Sequence, residues 1–160
     1  MAAKEKEAIV SLLQNSGVSF QLLEHEPVFT SEQAARVRGV SLKQGVKAMV
    51  LQSNSGNFFL FCLPADKKID FKKAAELVDE KRLFLANPAE VLRITGCQIG
   101  SVSPFSGLLS QLPAFFDSGI LENETVEFNI GLHTHSVRMK SGDLTALIKP
   151  VFGEFATKSI

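Results

Sequence analysis

Lys47 is the first residue whose setting could do chemistry. It lies in Val46-Lys47-Ala48-Met49-Val50-Leu51. Period-two alternation places Val46, Ala48 and Val50 on one face of a strand and Lys47 with Met49 and Leu51 on the other. A lysine among apolar neighbours is desolvated, which lowers its pKa and suits it to bind an anion or act as a base. The same pattern fits a strand-end lysine whose ammonium snorkels to water, and pattern alone favours that plainer reading. The second feature is Gly100-Ser101-Val102-Ser103-Pro104. Small residues between a glycine and a proline make a tight loop, and exposed backbone N–H groups there can hold a carbonyl oxygen or a developing oxyanion. A plain surface turn has the same composition.

The third feature is Gly131-Leu132-His133-Thr134-His135. Strand alternation would put His133, His135, Val137 and Met139 on one face, where two histidines could orient water, contact a sugar or ligate zinc. No cysteine and no acidic third ligand stands nearby, so no metal is expected. His25, next but one to Pro27, reads as a turn residue. The fourth feature is the basic run Lys67, Lys68, Lys72, Lys73, Lys81 and Arg82, which could meet phosphates. Asp66, Asp70, Glu76, Asp79 and Glu80 interleave with it, which favours an ordinary solvated helix face. Phosphate-binding glycine loops, dinucleotide fingerprints and the serine-hydrolase elbow are all missing from the sequence.

The 160 residues suit one domain, 1–160, around one core. Hydrophobic residues make up 45% and charged residues 21%; there is no Trp or Tyr, so the 13 Phe carry the aromatic part of the core. Formal net charge is zero, which gives no global attraction to nucleic acid; any RNA contact must be local, and no DNA partner is expected. Cys62 and Cys97 form no CxxC pair, which points to reduced thiols and a cytoplasmic protein. Met1 to Glu7 lacks the apolar run of a signal peptide, and no stretch approaches the roughly 20 apolar residues of a membrane span.

These residues need elements to position them. Helical spacing of Ala8, Ile9, Leu12 and Leu13 predicts a helix over 3–15, ended by Asn15-Ser16-Gly17. Val18 to Leu23 reads as a strand, broken at Pro27. Thr30 with Gln33 resembles a capping box and starts a short helix ending near Gly39. Strands at 46–52 and 58–63 flank the turn Asn54-Ser55-Gly56-Asn57 and make a central hairpin. Asp70 caps a helix over 71–79, 82–85 is a short strand, and Asn87-Pro88-Ala89-Glu90 starts another helix. A loop over 96–105, strands at 112–117, 125–129 and 133–139, and a terminal helix over 144–149 complete the chain. Several connections are too short for a crossover helix, which predicts an α+β domain with a mixed, mainly antiparallel, partly barrel-like sheet flanked by helices.

In this order the segments resemble the YbaK family, whose fold is shared with the editing domain inserted in bacterial prolyl-tRNA synthetase. The resemblance runs through Glu24-His25-Glu26-Pro27 with Phe29-Thr30 and Glu32-Gln33-Ala34-Ala35, then Gly45-Val46-Lys47-Ala48-Met49-Val50. It continues through Pro64-Ala65-Asp66-Lys67-Lys68-Ile69-Asp70, the GxxxP loop from Gly100 to Pro104, and Gly131 to Met139 with Gly142-Asp143-Leu144. It implies a free-standing trans-editing hydrolase that cleaves the ester of a mischarged aminoacyl-tRNA, of tRNA(Pro) type or a related small amino acid. Lys47 takes the place of the family's key lysine. Gly100, Ser101 and Pro104 take the place of the loop thought to cradle the aminoacyl carbonyl, and the terminal 2′-hydroxyl is believed to help activate water, so no protein nucleophile and no cofactor are needed. Phe29 and Thr30 would line the entrance, with Gly131, His133, His135 and Asp143 completing the substrate-binding set. The implied partners are the aminoacylated 3′ end of tRNA and an aminoacyl-tRNA synthetase. Leu23 stands where some members have Tyr, and Leu132-His133-Thr134 departs from the basic closing-strand motif of the cysteine-editing type. The edited side chain therefore stays open among Ala, Cys, Ser, Thr and others. Two other readings remain: a non-catalytic tRNA- or synthetase-binding module, and a small-molecule enzyme on the same fold.

Overall fold

The turn at Asn54–Asn57 joins two strands, β2 (Val46–Ser53) and β3 (Phe58–Pro64), which pair antiparallel from Val46↔Pro64 to Gln52↔Phe58. The computed structural model describes residues 2–38 and 42–158. Before the hairpin come α1 (Ala2–Ser16), β1 (Phe20–Glu24) and α2 (Ser31–Arg38). After it follow β4 (Lys67–Ile69), α3 (Phe71–Leu77), β5 (Leu83–Leu85), α4 (Pro88–Thr95), α5 (Ser106–Leu109) and β6 (Ala114–Asp117). The chain closes with β7 (Thr125–Asn129), β8 (His135–Lys140), α6 (Ser141–Ile148), β9 (Val151–Gly153) and β10 (Ala156–Lys158).

Side chains start the helices where the sequence places them. Asp70 Oδ1 accepts the Lys72 and Lys73 N–H groups, both at 3.1 Å, at the start of α3. Asn87 Oδ1 accepts the Glu90 N–H at 2.9 Å, Pro88 takes the first helical position of α4, and Gly96 closes it at φ 73°. At α2, Thr30 Oγ1 accepts the Gln33 N–H at 3.1 Å, while Gln33 Oε1 reaches back to the Phe29 N–H at 3.0 Å. The expected capping box is therefore present with its return bond displaced by one residue. Gly39, the expected end of this helix, lies outside the described residues.

The main sheet runs β5-β2-β3-β6-β9; a second runs β1-β8-β7, and β4 pairs with β10. Five of the seven ladders are antiparallel and two, β3 with β6 and β6 with β9, are parallel. The α+β, mixed and mainly antiparallel expectation holds, with the described sheets open rather than closed into a barrel. The five-stranded sheet separates two apolar clusters. Val46, Val50, Leu60 and Cys62 pack on one side with Phe116 and Phe128; Leu51, Phe61 and Leu63 pack on the other with Phe115 and Phe155. A strand buried on both faces explains the unbroken apolar run of β3. No helix among the described residues is long and apolar enough to cross a membrane.

The structure corrects three sequence expectations. The strand expected from His133 begins only at His135, because Gly131 adopts φ 102° and residues 131–134 form bends and turns. His133 and His135 therefore do not alternate along one strand face. The chain also does not end in a helix: α6 stops at Ile148, and β9 and β10 follow. These three-residue strands are too short to show periodicity. Asp117 anchors them, with Oδ1 accepting the Phe155 and Ala156 N–H groups, each at 3.0 Å. Lys67 and Lys68 lie on β4 rather than on a helix face.

Candidate active site

A cavity of about 250 Å³ opens beside β2, and Lys47, Phe29, Thr30, Gly100 and Asn129 are among the residues that line it. Its position follows from the sheet. β5 pairs with β2 only over Leu51–Ser53, so the edge of β2 from Val46 to Val50 is left to the cavity. Ser53 donates to Asn57 O and Ala65 to Gly45 O, both at 2.8 Å, so odd-numbered positions of β2 bond towards β3. Even-numbered positions turn their peptide groups the other way. Val50 O is taken by the Ala86 N–H at 3.0 Å, and Ala48 comes next, at the cavity.

Lys47 is half-buried here, and burial pushes its pKa below the ordinary 10.5. The carboxylates of Glu32 and Asp66 act in the opposite direction, and Lys68 adds to the lowering. Asp66 Oδ1 is buried with no hydrogen-bond partner among the described residues. The site therefore holds one half-buried ammonium whose charged form Glu32 and Asp66 favour and burial and Lys68 oppose, a donor that can meet a dipolar group such as a carbonyl.

The Gly100 turn is clipped in place from several sides. Gly100 has φ 92°, a conformation that glycine adopts freely. The Ser101 N–H and Oγ both donate to Gln98 O, at 3.0 and 2.9 Å, and Ser101 O accepts the Gly131 N–H at 3.0 Å. Asn129 Nδ2 donates to Gly100 O at 2.6 Å. Pro104 is buried beyond the turn, and the Phe105 N–H bonds to Ser103 Oγ at 3.1 Å. Ser101, Pro104 and Gly131 thus shape the loop without lining the cavity.

His133 stands against this turn. A Cβ placed on Gly100 would meet His133 Cε1 at 3.5 Å. His133 Nδ1 lies 2.9 Å from Val28 O, which can only accept, and its Nε2 lies 3.3 Å from Gln98 Oε1. The Val28 N–H donates to His133 O at 3.0 Å, and the imidazole packs on Phe29 with ring centroids 4.5 Å apart. His135 and Asp143 are not brought to the cavity. His135 Nε2 faces Glu24 at 3.3 Å and its Nδ1 faces Thr134 Oγ1 at 2.8 Å, while Asp143 lies in the first turn of α6. His25, expected in a turn, instead continues the pairing of β1 with β8, its N–H donating to Thr134 O at 2.9 Å and its Nε2 2.8 Å from Ser136 Oγ.

Sequence reasoning passed over Asn129, Gln98, Glu32 and Asp66. The acids beside Lys47 come from α2 and from the turn after β3, and only the fold brings them together. Burial lifts the Cys62 thiol far above its usual range and pushes Cys97 up to about 11, so neither is poised as a nucleophile. Among the described residues no group of three His, Cys, Asp or Glu could hold a metal ion.

A family model described as the aminoacyl-tRNA editing domain matches residues 25–147, a span that contains Lys47, the Gly100 turn and His133. The chain belongs to the aminoacyl-tRNA editing domain family. It is 33% identical over 151 residues to the multifunctional Ser/Thr-tRNA deacylase ProXp-y of Escherichia coli K12, covering 92% of this chain and 90% of that one. It is 24% identical over 148 residues to the prolyl-tRNA editing protein ProX of Acetoanaerobium sticklandii, covering 90% of each. A solved structure described as a candidate trans-editing enzyme for prolyl-tRNA synthetase superposes with a TM-score of 0.83 at 27% identity, covering 98% of both chains. The editing-domain chain is an ester hydrolase of mischarged aminoacyl-tRNA, and aminoacylated tRNA is its substrate.

Proposed function

We propose that the cavity beside Lys47 receives the aminoacyl 3′ end of a mischarged tRNA and that the chain works free-standing, in trans. The observation that carries this reading is the convergence of Lys47 and the Gly100 turn on one cavity, although they are far apart in sequence. Lys47 anchors the polar aminoacyl end electrostatically. The Ser101 N–H is already engaged with Gln98, so the Gly100 and Val102 N–H groups are the candidates for holding the ester carbonyl. Water attacks the carbonyl carbon, the carbon–oxygen bond to the ribose breaks, and the ribose oxygen leaves with a proton. The substrate's own 2′-hydroxyl orients the water, so Ser101 and both cysteines stay outside the chemistry.

Val50, Ala86, Val91 and Val102 make the walls largely aliphatic, with Thr30 and Asn129 as uncharged polar side chains. This favours small amino acids. An aliphatic pocket separates near-isosteres only about 100-fold, so activity spread over Ala, Cys, Ser and Thr esters is expected. Zero net charge gives weak intrinsic tRNA capture, which suits a cytoplasmic factor that docks transiently on a synthetase. Deacylation of a panel of mischarged tRNAs tests the reading. Wild type should hydrolyse at least one ester, and Lys47→Ala should lower kcat/KM by about 100- to 1,000-fold. A folded wild type that hydrolyses none of the panel would refute it.

A further inference from the structure

We propose that Phe29 is a stacking platform for the nucleobase of the terminal tRNA nucleotide, one ribose away from the ester. This rests on the deacylase reading of the same cavity. Phe29 is the most exposed large apolar side chain among the described residues, at 65%, yet it lines the cavity. A lone exposed aromatic would need no explanation, but one that shares a cavity rim with other exposed apolar side chains marks a binding surface. The backbone that carries the ring is also tied down. Its own N–H is bonded to Gln33 Oε1 at 3.0 Å, and the preceding residue, Val28, is bonded through both its N–H and its C=O to His133. The His133 imidazole backs the ring with centroids 4.5 Å apart and planes tilted by 37°. A bonded backbone beneath the ring and an imidazole behind it limit the entropy lost on stacking.

Ile99 and Leu85 extend the apolar surface at the cavity, at 52% and 53% exposure. With no net charge to draw in the phosphate backbone, base stacking on this rim supplies affinity that electrostatics does not. Stacking one base on an aromatic ring is worth about 5- to 100-fold in affinity. The contact exists equally before and during ester cleavage, so its loss raises KM and spares kcat.

The chain has no Trp or Tyr, so Phe29→Trp introduces a sole indole at the platform and reports stacking without any turnover. The probes are a non-hydrolysable 3′-amide of alanine on adenosine, the same amide on an abasic ribose, and adenosine 5′-monophosphate. The adenosine amide should quench the indole, the abasic amide should not, and the free nucleotide should quench only at higher concentration. In deacylation, Phe29→Ala should raise KM about 5- to 100-fold, Phe29→Trp should restore it, and Phe152→Ala, an exposed aromatic on β9, should do neither. Equal quenching by the abasic amide, or a Phe29→Ala KM within twofold of wild type, overturns the proposal. If wild type turns over no ester at all, the deacylase reading fails on its own, and the quenching arms still decide the platform. Quenching by the free nucleotide at the lowest concentration would overturn the RNA-end assignment in favour of a soluble nucleotide.

Discussion

Two glycines with nearly the same φ allow a test that separates a structural role from a catalytic one. Gly100 has φ 92° and Gly56 has φ 90°. A Cβ on Gly56 would meet nothing within 4 Å, and one on Gly100 would meet only ordinary contacts, His133 Cε1 at 3.5 Å and Phe29 O at 3.8 Å. Neither substitution by alanine creates a clash, so the loss is backbone strain alone, about 1–2 kcal/mol at each site. For a chain of this length that lowers Tm by roughly 2–8 °C, and the two variants should fall together. Their activities should differ. Gly56 lies in the hairpin turn, at the opposite end of β2 from Lys47. Relief of strain at Gly100 tilts the peptide groups that face the cavity, and misplacement by about 1 Å of such groups costs about 100-fold in rate. Deacylation kinetics and thermal melts on the same preparations test the pair. Gly100→Ala should lose about 100-fold in kcat/KM, and Gly56→Ala should stay within about twofold of wild type. If Gly100→Ala melts lower yet hydrolyses like wild type, the backbone of this turn takes no part in catalysis. If both variants lose activity equally, the effect is stability alone.

Lys47 and Asp117 make opposite predictions about stability. Burial lowers the Lys47 pKa, so the folded chain binds that proton less tightly than the unfolded chain and is destabilised at neutral pH. The penalty fades as pH rises from the folded pKa towards the ordinary 10.5. The side chain is only half-buried and Glu32 and Asp66 offset part of the loss, so Lys47→Met should gain no more than about 1 kcal/mol at pH 7 while lowering deacylation as far as Lys47→Ala does. Urea midpoints at pH 7 and 11 should show that gain shrinking, and a variant less stable than wild type at pH 7 would contradict the reasoning. Asp117 accepts three backbone N–H groups, from Phe155, Ala156 and Gly119, at 3.0, 3.0 and 2.9 Å. Asp117→Ala should cost about 3 kcal/mol or more and speed hydrogen exchange at the Phe155 and Ala156 amides; a loss under about 1 kcal/mol would remove Asp117 as the anchor of β9 and β10.

Much of this fold could be read from local chemistry. Asp70, Thr30 and Asn87 cap helices because short acceptor side chains before an apolar run satisfy the first free N–H groups. The central hairpin follows from Asn54–Asn57 between two apolar runs. What stayed hidden depends on contacts between distant segments. Nothing in Val151–Gly153 or Ala156–Lys158 marks a strand until Asp117 supplies the acceptors that hold them. His133 looked like a strand residue because alternation continued through it, but Val28 pairs with both its backbone and its ring and keeps it in the turn. Lys47 was recognisable as unusual, whereas the acids that face it were not.

The half-burial of Lys47 has a cause in the sheet itself. A strand with both faces in apolar clusters leaves a lysine nowhere to go unless the sheet opens beside it. β5 is three residues long and ends its pairing at Leu51, and the chain then turns into α4 after a single further bond from Ala86 to Val50. Lengthening β5 by two residues would extend that pairing towards Met49 and close the strand edge that faces the cavity. The short strand therefore does more than complete a sheet. It leaves the edge from which Lys47 gains access to solvent, and to which the Gly100 turn, pinned by Asn129, is brought from across the domain. Lys47 and the Gly100 turn, so far apart in sequence, meet at one cavity because β5 leaves β2 after the bond from Ala86 to Val50.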